Sequence, residues 1–443
     1  MSLPPGPRAP SVVQLVEFTP RPLEWLEACA ARYGDPFTVR FPALGTYVLA
    51  AAPGLIKEIF TGDPEVLKAG KANELLRPIL GNHSVILLDG APHLRQRRLL
   101  SPPLRGERMH AYAELIAAIT ATELARMPVG RACSLYEHLQ AITLDVILRA
   151  VFGLDDGPHL RELRGLLVAM LEPPPAILAF LPPRWLDLPL SPYRTFLRRR
   201  DAVDAALHRI IRARTAAPDR ERTDILSLLL AARDDQGVAM TEDELRDELM
   251  TMLIAGHETT ATALSWAFAC VLDRPDVEAR LQDELSGART AGGALDLAAV
   301  PALDYLDAVV KETLRVRPIL PDVARYLERP LRFAGYDLPA SVNVAPCIHL
   351  AHRRAEAFPE PARFRPERWL GAKVDPYTWL PFGGGIRRCL GMAFALFEMK
   401  IVLAVVLSRA RLRLATPGPV RVVRRTISLA PAGGTRVVLD RRA

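Results

Sequence analysis

The stretch from Glu242 to Leu272 constrains this chain more than any other. Thr241, followed three residues later by Glu244, makes a capping box at its start, and Pro275 closes it just beyond its end. About thirty residues at ~1.5 Å each give a helix of roughly 45 Å. A rod of that length crosses a whole domain, so the remaining elements have to pack around it. Helical periods also dominate from Pro92 to about Ala231, broken at Ser101-Pro102-Pro103 and again over residues 173–192. The second break is apolar and Pro-rich, which suits a packed connector or a lid over a greasy pocket. Strand signals are confined to a hairpin over residues 36–41 and 46–50, and to residues 330–344 and 420–439. The expected fold is mainly α with a small β region contributed by both ends of the chain.

Composition narrows the class. The 443 residues would fill one very large core or two to three ordinary domains, and no Gly/Ser linker or internal repeat divides them. The five cysteines are scattered, odd in number and without CxxC spacing, which argues for a reducing compartment and against a disulfide framework or a zinc ribbon. The start, Met1-Ser2-Leu3-Pro4-Pro5-Gly6-Pro7, has no apolar core of a signal peptide, and no stretch offers eighteen uninterrupted apolar residues. A cytoplasmic protein with no membrane anchor is expected. The net charge of +7 comes with only 6% aromatic residues and no recurring basic-aromatic motif. An acidic protein partner therefore fits better than nucleic acid.

The chemistry gathers at Phe382-Gly383-Gly384-Gly385-Ile386-Arg387-Arg388-Cys389-Leu390-Gly391. Three glycines let the backbone turn tightly and approach a flat partner. Two arginines and a helix start then bring positive potential to Cys389, which favours the thiolate that metals bind. A lone cysteine on a Gly-rich loop is more often a buried structural thiol. Five matched positions in ten residues reverse that balance, and the loop resembles the haem-ligand loop of the cytochrome P-450 family.

Further motifs carry the same resemblance in the expected order. Ala255-Gly256-His257-Glu258-Thr259-Thr260 lies in the middle of the long helix. A zinc-protease reading of it fails, because HExxH needs a histidine where Ala261 stands. The hexapeptide resembles the family's oxygen-activating segment, which implies that Glu258 and Thr259 help deliver protons to dioxygen. Glu312 and Arg315 are one helical turn apart, and Phe364-Arg365-Pro366-Glu367-Arg368-Trp369 follows. Together they resemble the family's ExxR and PERF-like motifs, implying that Glu312, Arg315 and Arg368 form a buried network bracing the cysteine loop. Trp369 replaces the usual Phe and is taken as a packing variation. His93 and Arg97 resemble the bacterial HxxxR pair that clasps a haem propionate, and Arg387 and Arg325 match the other propionate positions. His349 and His352 lack further ligands at zinc spacing, and His352 matches a structural turn of the family.

The resemblance implies one interwoven domain over residues 1–443 with the cytochrome P-450 fold, and haem b held by Cys389, His93, Arg97, Arg325, Arg387 and Phe382. It implies hydroxylation or epoxidation of a lipophilic molecule, with electrons from a ferredoxin or flavodoxin and its reductase. Arg95, Arg98 and Arg388 would mark a basic docking face for that partner. The expected substrate pocket comprises Ile86, Leu87, Ala255, Leu320, Val323 and Ile427, with Val85, Ile319 and Thr426 beside them. Residues 101–109 resemble the bacterial branch that oxidises fatty acids, terpenoids and similar molecules. Two other readings are a peroxide-using or isomerising haem-thiolate enzyme, which would not need Glu258 and Thr259, and a non-catalytic haem sensor or lipophile carrier.

Overall fold

The long helix runs from Glu242 to Leu272 as expected, with both halves of its capping box formed: Thr241 accepts from the Glu244 N–H, and the Glu244 side chain accepts from the Thr241 N–H. The computed structural model describes residues 2–104, 108–154, 157–171, 191–217, 222–425 and 427–442. Most of the expected connector at 173–192 lies outside the described residues, as do Arg105, Gly106, Glu107 and Thr426.

The helices that matter for the site are α1 (Ser11–Phe18), α2 (Pro22–Tyr33), α3 (Pro53–Thr61), α4 (Gly90–Leu100), α5 (Arg108–Arg126), α6 (Leu135–Phe152), α7 (Glu242–Leu272), α8 (Asp304–Val316) and α9 (Met392–Arg409). In the first half of α7, Leu245 to Thr251 are buried on every face, and from Met252 to Thr259 buried residues are interspersed with accessible ones. From Thr260 to Val271 every residue is buried. A helix that is apolar all round belongs in the interior, and here α5, α6, α8 and α9 surround it in one core. α9 does the same from Ile401 to Leu407.

Strands β1 (Phe37–Phe41), β2 (Gly45–Ala50) and β3 (Leu67–Lys68) come from the start of the chain, with β4 (Ala132–Ser134) following. Strands β5 (Arg325–Leu327), β6 (Asn343–Pro346), β7 (Ala410–Leu414), β8 (Val422–Arg425), β9 (Ser428–Pro431) and β10 (Arg436–Arg442) come from its last third. One sheet has the order β1-β2-β6-β5-β3; β2 and β6 are parallel, pairing Tyr47 with Asn343 and Ala50 with Pro346. A second sheet has the order β4-β10-β7, and β8 with β9 forms a hairpin beside α7. Parallel pairing needs a long crossover. This one spans nearly three hundred residues, so the chain's two ends are woven together.

Candidate active site

One cavity of about 1520 Å³ lies between α7 and the cysteine loop and extends past α1 and β2 to the hairpin β8–β9. It exceeds the ~300–1,000 Å³ that encloses a drug-sized ligand, so it has room for more than one body. Cys389, at the mouth of α9, lines it and is accessible from it, although the residue lies well inside the molecule. The Cys389 N–H donates to the Phe382 carbonyl at 3.0 Å, closing the loop, and Phe382 also reaches the cavity.

The glycines of this loop divide their work in a way the sequence does not reveal. A Cβ on Gly384 would come within 2.4 Å of the Phe60 ring, and one on Gly385 within 2.3 Å of the Phe60 carbonyl oxygen. Those two were expected to approach a flat partner; they approach α3. Gly383 and Gly391 instead border open space, and Gly383 has φ +64°. The thiol also departs from expectation. Burial pushes its pKa up, and the Gly391 N–H, Arg97 and Arg388 only offset this in part. A bound cation is what would deprotonate it.

Beside the loop lies a cationic pocket. Arg387 donates to the Val85 and Leu88 carbonyls and to Asp89, whose carboxylate also caps the Gly70 and Lys71 N–H groups. Arg325 is buried, with its guanidinium over Phe60. Arg97 donates to the Arg388 carbonyl at 2.7 Å. His93 is buried on the cavity wall and its Nδ1 has no hydrogen-bond partner. Burial first, then Arg387, Arg97 and Arg325, lower its pKa to about 3, so the imidazole is neutral. Burial also lowers Arg325 and Arg387 to about 10. Three arginines facing one carboxylate leave an excess of positive charge that two ligand carboxylates would balance. With the orphaned imidazole nitrogen, the open face at Gly383 and Gly391 and the accessible thiol, these residues fit haem b.

Across the cavity, α7 presents Glu248, Thr251, Met252, Ala255, Gly256 and Thr259 along one face, at helical spacing i, i+3, i+4, i+7, i+8 and i+11. The Thr259 hydroxyl donates to the Ala255 carbonyl at 2.7 Å, leaving its lone pairs as acceptors. Glu258 also lines the cavity, and its charge reaches the Tyr136 phenol on α6. Burial, partly offset by Arg425, pushes that phenol up to about 12. His257 points elsewhere: its Nδ1 lies 2.6 Å from the Leu253 carbonyl.

Behind the loop, Glu312 and Arg315 on α8 are fully buried and joined by two bonds of 2.8 Å. Arg368 Nε, the Arg365 N–H and Trp369 Nε1 also donate to Glu312. Trp369 is therefore a member of the network and not only a packing variation; an aromatic carrying a donor was the available signal. Arg315 continues to the carbonyls of His352, Pro361 and Arg363. His352 joins this network to the loop's approach, with Nδ1 3.1 Å from the Arg315 carbonyl and Nε2 accepting from the Leu380 N–H.

Of the expected pocket residues, Ile86, Ala255, Leu320, Val323 and Ile427 line the cavity, as do Val85 and Ile319. Leu87 is buried but does not line it; the backbone there packs against Gly70. Of the expected docking arginines, Arg388 is exposed, and Arg98 is exposed and paired with Asp235. Arg95 is committed to Asp234, Glu244 and the Ala239 carbonyl.

The cytochrome P-450 family model matches residues 3–433. The protein named cytochrome P-450 135B1 of Mycobacterium tuberculosis is 42% identical over 440 residues, covering 99% of this chain and 91% of the relative. Cytochrome P-450 135A1 of the same organism is 38% identical over 448 residues, covering 99% and 96%. Among solved structures, a retinoic acid-bound cyanobacterial CYP120A1 has a TM-score of 0.86 at 25% identity, with both chains covered in full. A cytochrome P-450DA haem domain shares the fold with a TM-score of 0.86 at 22% identity, covering 100% of this chain and 98% of its own.

Proposed function

The chain belongs to the cytochrome P-450 family and is an oxidoreductase of the monooxygenase type, and from that premise we propose that it hydroxylates or epoxidises a lipophilic small molecule. The observation that carries this reading is a single cavity onto which Cys389, the His93–Arg97–Arg325–Arg387 pocket and the Ala255–Thr259 face of α7 all open. The cavity's interleaved walls support one catalytic domain over residues 1–443, and a cytoplasmic setting is proposed with it. Among the described residues, no helix is long and apolar enough to cross a membrane.

Haem b supplies, when bound, the activation of dioxygen and its insertion into an unactivated bond. Cys389 Sγ would ligate the iron, with Phe382 holding the loop closed, and the arginines and His93 would hold the propionates. Glu258 would take up and pass on protons at its carboxylate on the cavity side of α7. Thr259 Oγ1 would accept from and orient a donor there while its own hydroxyl hydrogen stays donated to the Ala255 carbonyl. Ile86, Ala255, Ile319, Leu320, Val323 and Ile427 exclude water and receive an apolar body. A lipophilic substrate of the fatty-acid or terpenoid kind suits these walls, and the cyanobacterial neighbour is bound to retinoic acid. Members of the family generally need redox partners, and electrons are proposed to come here from a ferredoxin or flavodoxin with its reductase.

The reduced protein with carbon monoxide should show the red-shifted Soret band of thiolate ligation, and Cys389→Ser should abolish it. An unchanged spectrum in that variant would remove the ligand assignment. Thr259→Ala should uncouple the reaction, so that dioxygen and NAD(P)H are consumed with several-fold less product. Unaltered coupling would sink the relay role.

A further inference from the structure

Glu248 stands on the cavity-facing stripe of α7, eleven residues before Thr259, and the haem-thiolate reading gives it no task. Its side chain is fully buried at the cavity wall, among Val85, Ile86, Thr251 and Met252, which line the same space. Oε1 accepts the Val85 N–H at 2.8 Å. Oε2 has no hydrogen-bond partner. Neighbouring acids are all committed: Glu244 to Arg95, Gln96 and the Thr241 N–H, and Asp247 to Arg246 and His83. Among the described residues no cation pairs with Glu248, and burial, with Asp247 and Glu244 close by, holds its carboxyl well above the usual carboxylate range. Because Oε1 is the acceptor for Val85, the proton belongs on Oε2, and a buried O–H without a partner is a donor awaiting one.

We propose that Glu248 is the polar anchor of the substrate cavity, its Oε2–H donating to a neutral oxygen acceptor (carbonyl, ether or hydroxyl) on an otherwise lipophilic substrate. This deepens the monooxygenase reading and rests on it for the identity of the cavity. Eleven residues of helix separate Glu248 from Thr259 by roughly 16 Å along the axis. The acceptor oxygen therefore sits far from the carbon that is oxidised, which calls for an extended molecule with one polar end.

The test is calorimetric titration of the haem-loaded full chain with methyl undecyl ketone and with tridecane, the hydrocarbon of equal length. The wild type should bind the ketone about five- to tenfold tighter, as one buried hydrogen bond gives. Glu248→Leu should bring the two ligands to parity, and Glu248→Gln, which keeps an acceptor for Val85 and offers an N–H, should keep a ketone preference. A wild type without that preference, or a Leu variant that retains it, overturns the anchor. Infrared difference spectra supply a second reading that needs only the wild type and the Gln variant. The protonated-carboxyl band should shift on adding ketone but not tridecane, and should be missing in Glu248→Gln; a wild-type band indifferent to ketone also overturns the proposal. The carbon monoxide spectrum reports the haem-thiolate reading separately, so failure of one is distinguishable from failure of the other.

Discussion

Glu312 and Glu248 are both fully buried carboxyl groups on helices, and the protein treats them in opposite ways. Glu312 accepts from Arg315 twice and from Arg368, the Arg365 N–H and Trp369 once each. Burial alone would raise its pKa; these donors hold it below the ordinary carboxylate value. Glu248 has one donor, and burial prevails. Two histidines repeat the contrast. His352, behind the cysteine loop, has both ring nitrogens bonded, whereas His93, on the cavity, keeps Nδ1 without a partner. The Glu312 carboxylate and the His352 ring are saturated, which fixes the geometry of the network behind the loop. The cavity wall keeps hydrogen-bonding capacity in reserve, which is how a site recognises what it binds.

The contrast is broken most violently from the saturated side. Arg315→Met should strand the Glu312 charge and leave the carbonyls of His352, Pro361 and Arg363 short of a donor. Removing one member of a buried pair costs about 3–5 kcal/mol. The expected result is little or no folded haem-loaded protein, seen in the urea midpoint and in the yield of Soret-absorbing material. A smaller effect is due from Trp369→Phe, which keeps an aromatic ring against Phe358 and Trp379 but deletes the N–H to Glu312. A bond to a charged acceptor is worth about 1.5–3 kcal/mol. Trp379→Phe, whose N–H reaches only a neutral carbonyl at 3.3 Å, should cost less. Equal urea midpoints for the two variants would return Trp369 to the role of mere filler.

What the sequence makes legible follows from whether a residue's task is local. The long helix is legible to its terminal residues because cap and stop are encoded within three positions of each end. Glu312, Arg315 and Arg368 are legible as a group because their spacing is fixed by one helical turn and one motif. Trp369 is not, since its N–H acquires meaning only once the second oxygen of Glu312 is located across the fold. Gly384 and Gly385 look like Gly383, yet it is Phe60, more than three hundred residues earlier, that forbids them a side chain. Leu87 lies in an irregular stretch, where no period assigns a face. Arg95 reads as a surface charge until the Asp234 and Glu244 side chains are brought to it. Glu248 is the plainest case. It follows Glu242, Asp243, Glu244 and Asp247, an acidic helix start of the kind that the helix dipole favours in water. Only the packing of residues 84–87 over it turns that solvated pattern into a buried acid.

The pH dependence of stability separates the two carboxyl groups with the gentlest measurement. Glu312 has a folded pKa below the ordinary 4.5. Its stabilisation is complete above 4.5 and is lost as pH falls through the folded value, since there the unfolded chain binds the extra proton. Glu248 has a folded pKa well above 4.5. Above 4.5 the unfolded chain releases a proton that the folded protein keeps, so stability falls as pH rises until the folded pKa is reached. The slope within that window is at most about 1.4 kcal/mol per pH unit. Glu248→Gln cannot titrate and lacks this term. The difference in unfolding free energy between Glu248→Gln and the wild type should therefore grow in the variant's favour as pH is raised from 5 toward neutrality. It should be smallest well below pH 4.5, where the wild-type acid is protonated in the folded and the unfolded state alike. A difference independent of pH would mean that the folded carboxyl ionises as it does in the unfolded chain, and one that moved in the wild type's favour as pH rises would place Glu248 with Glu312.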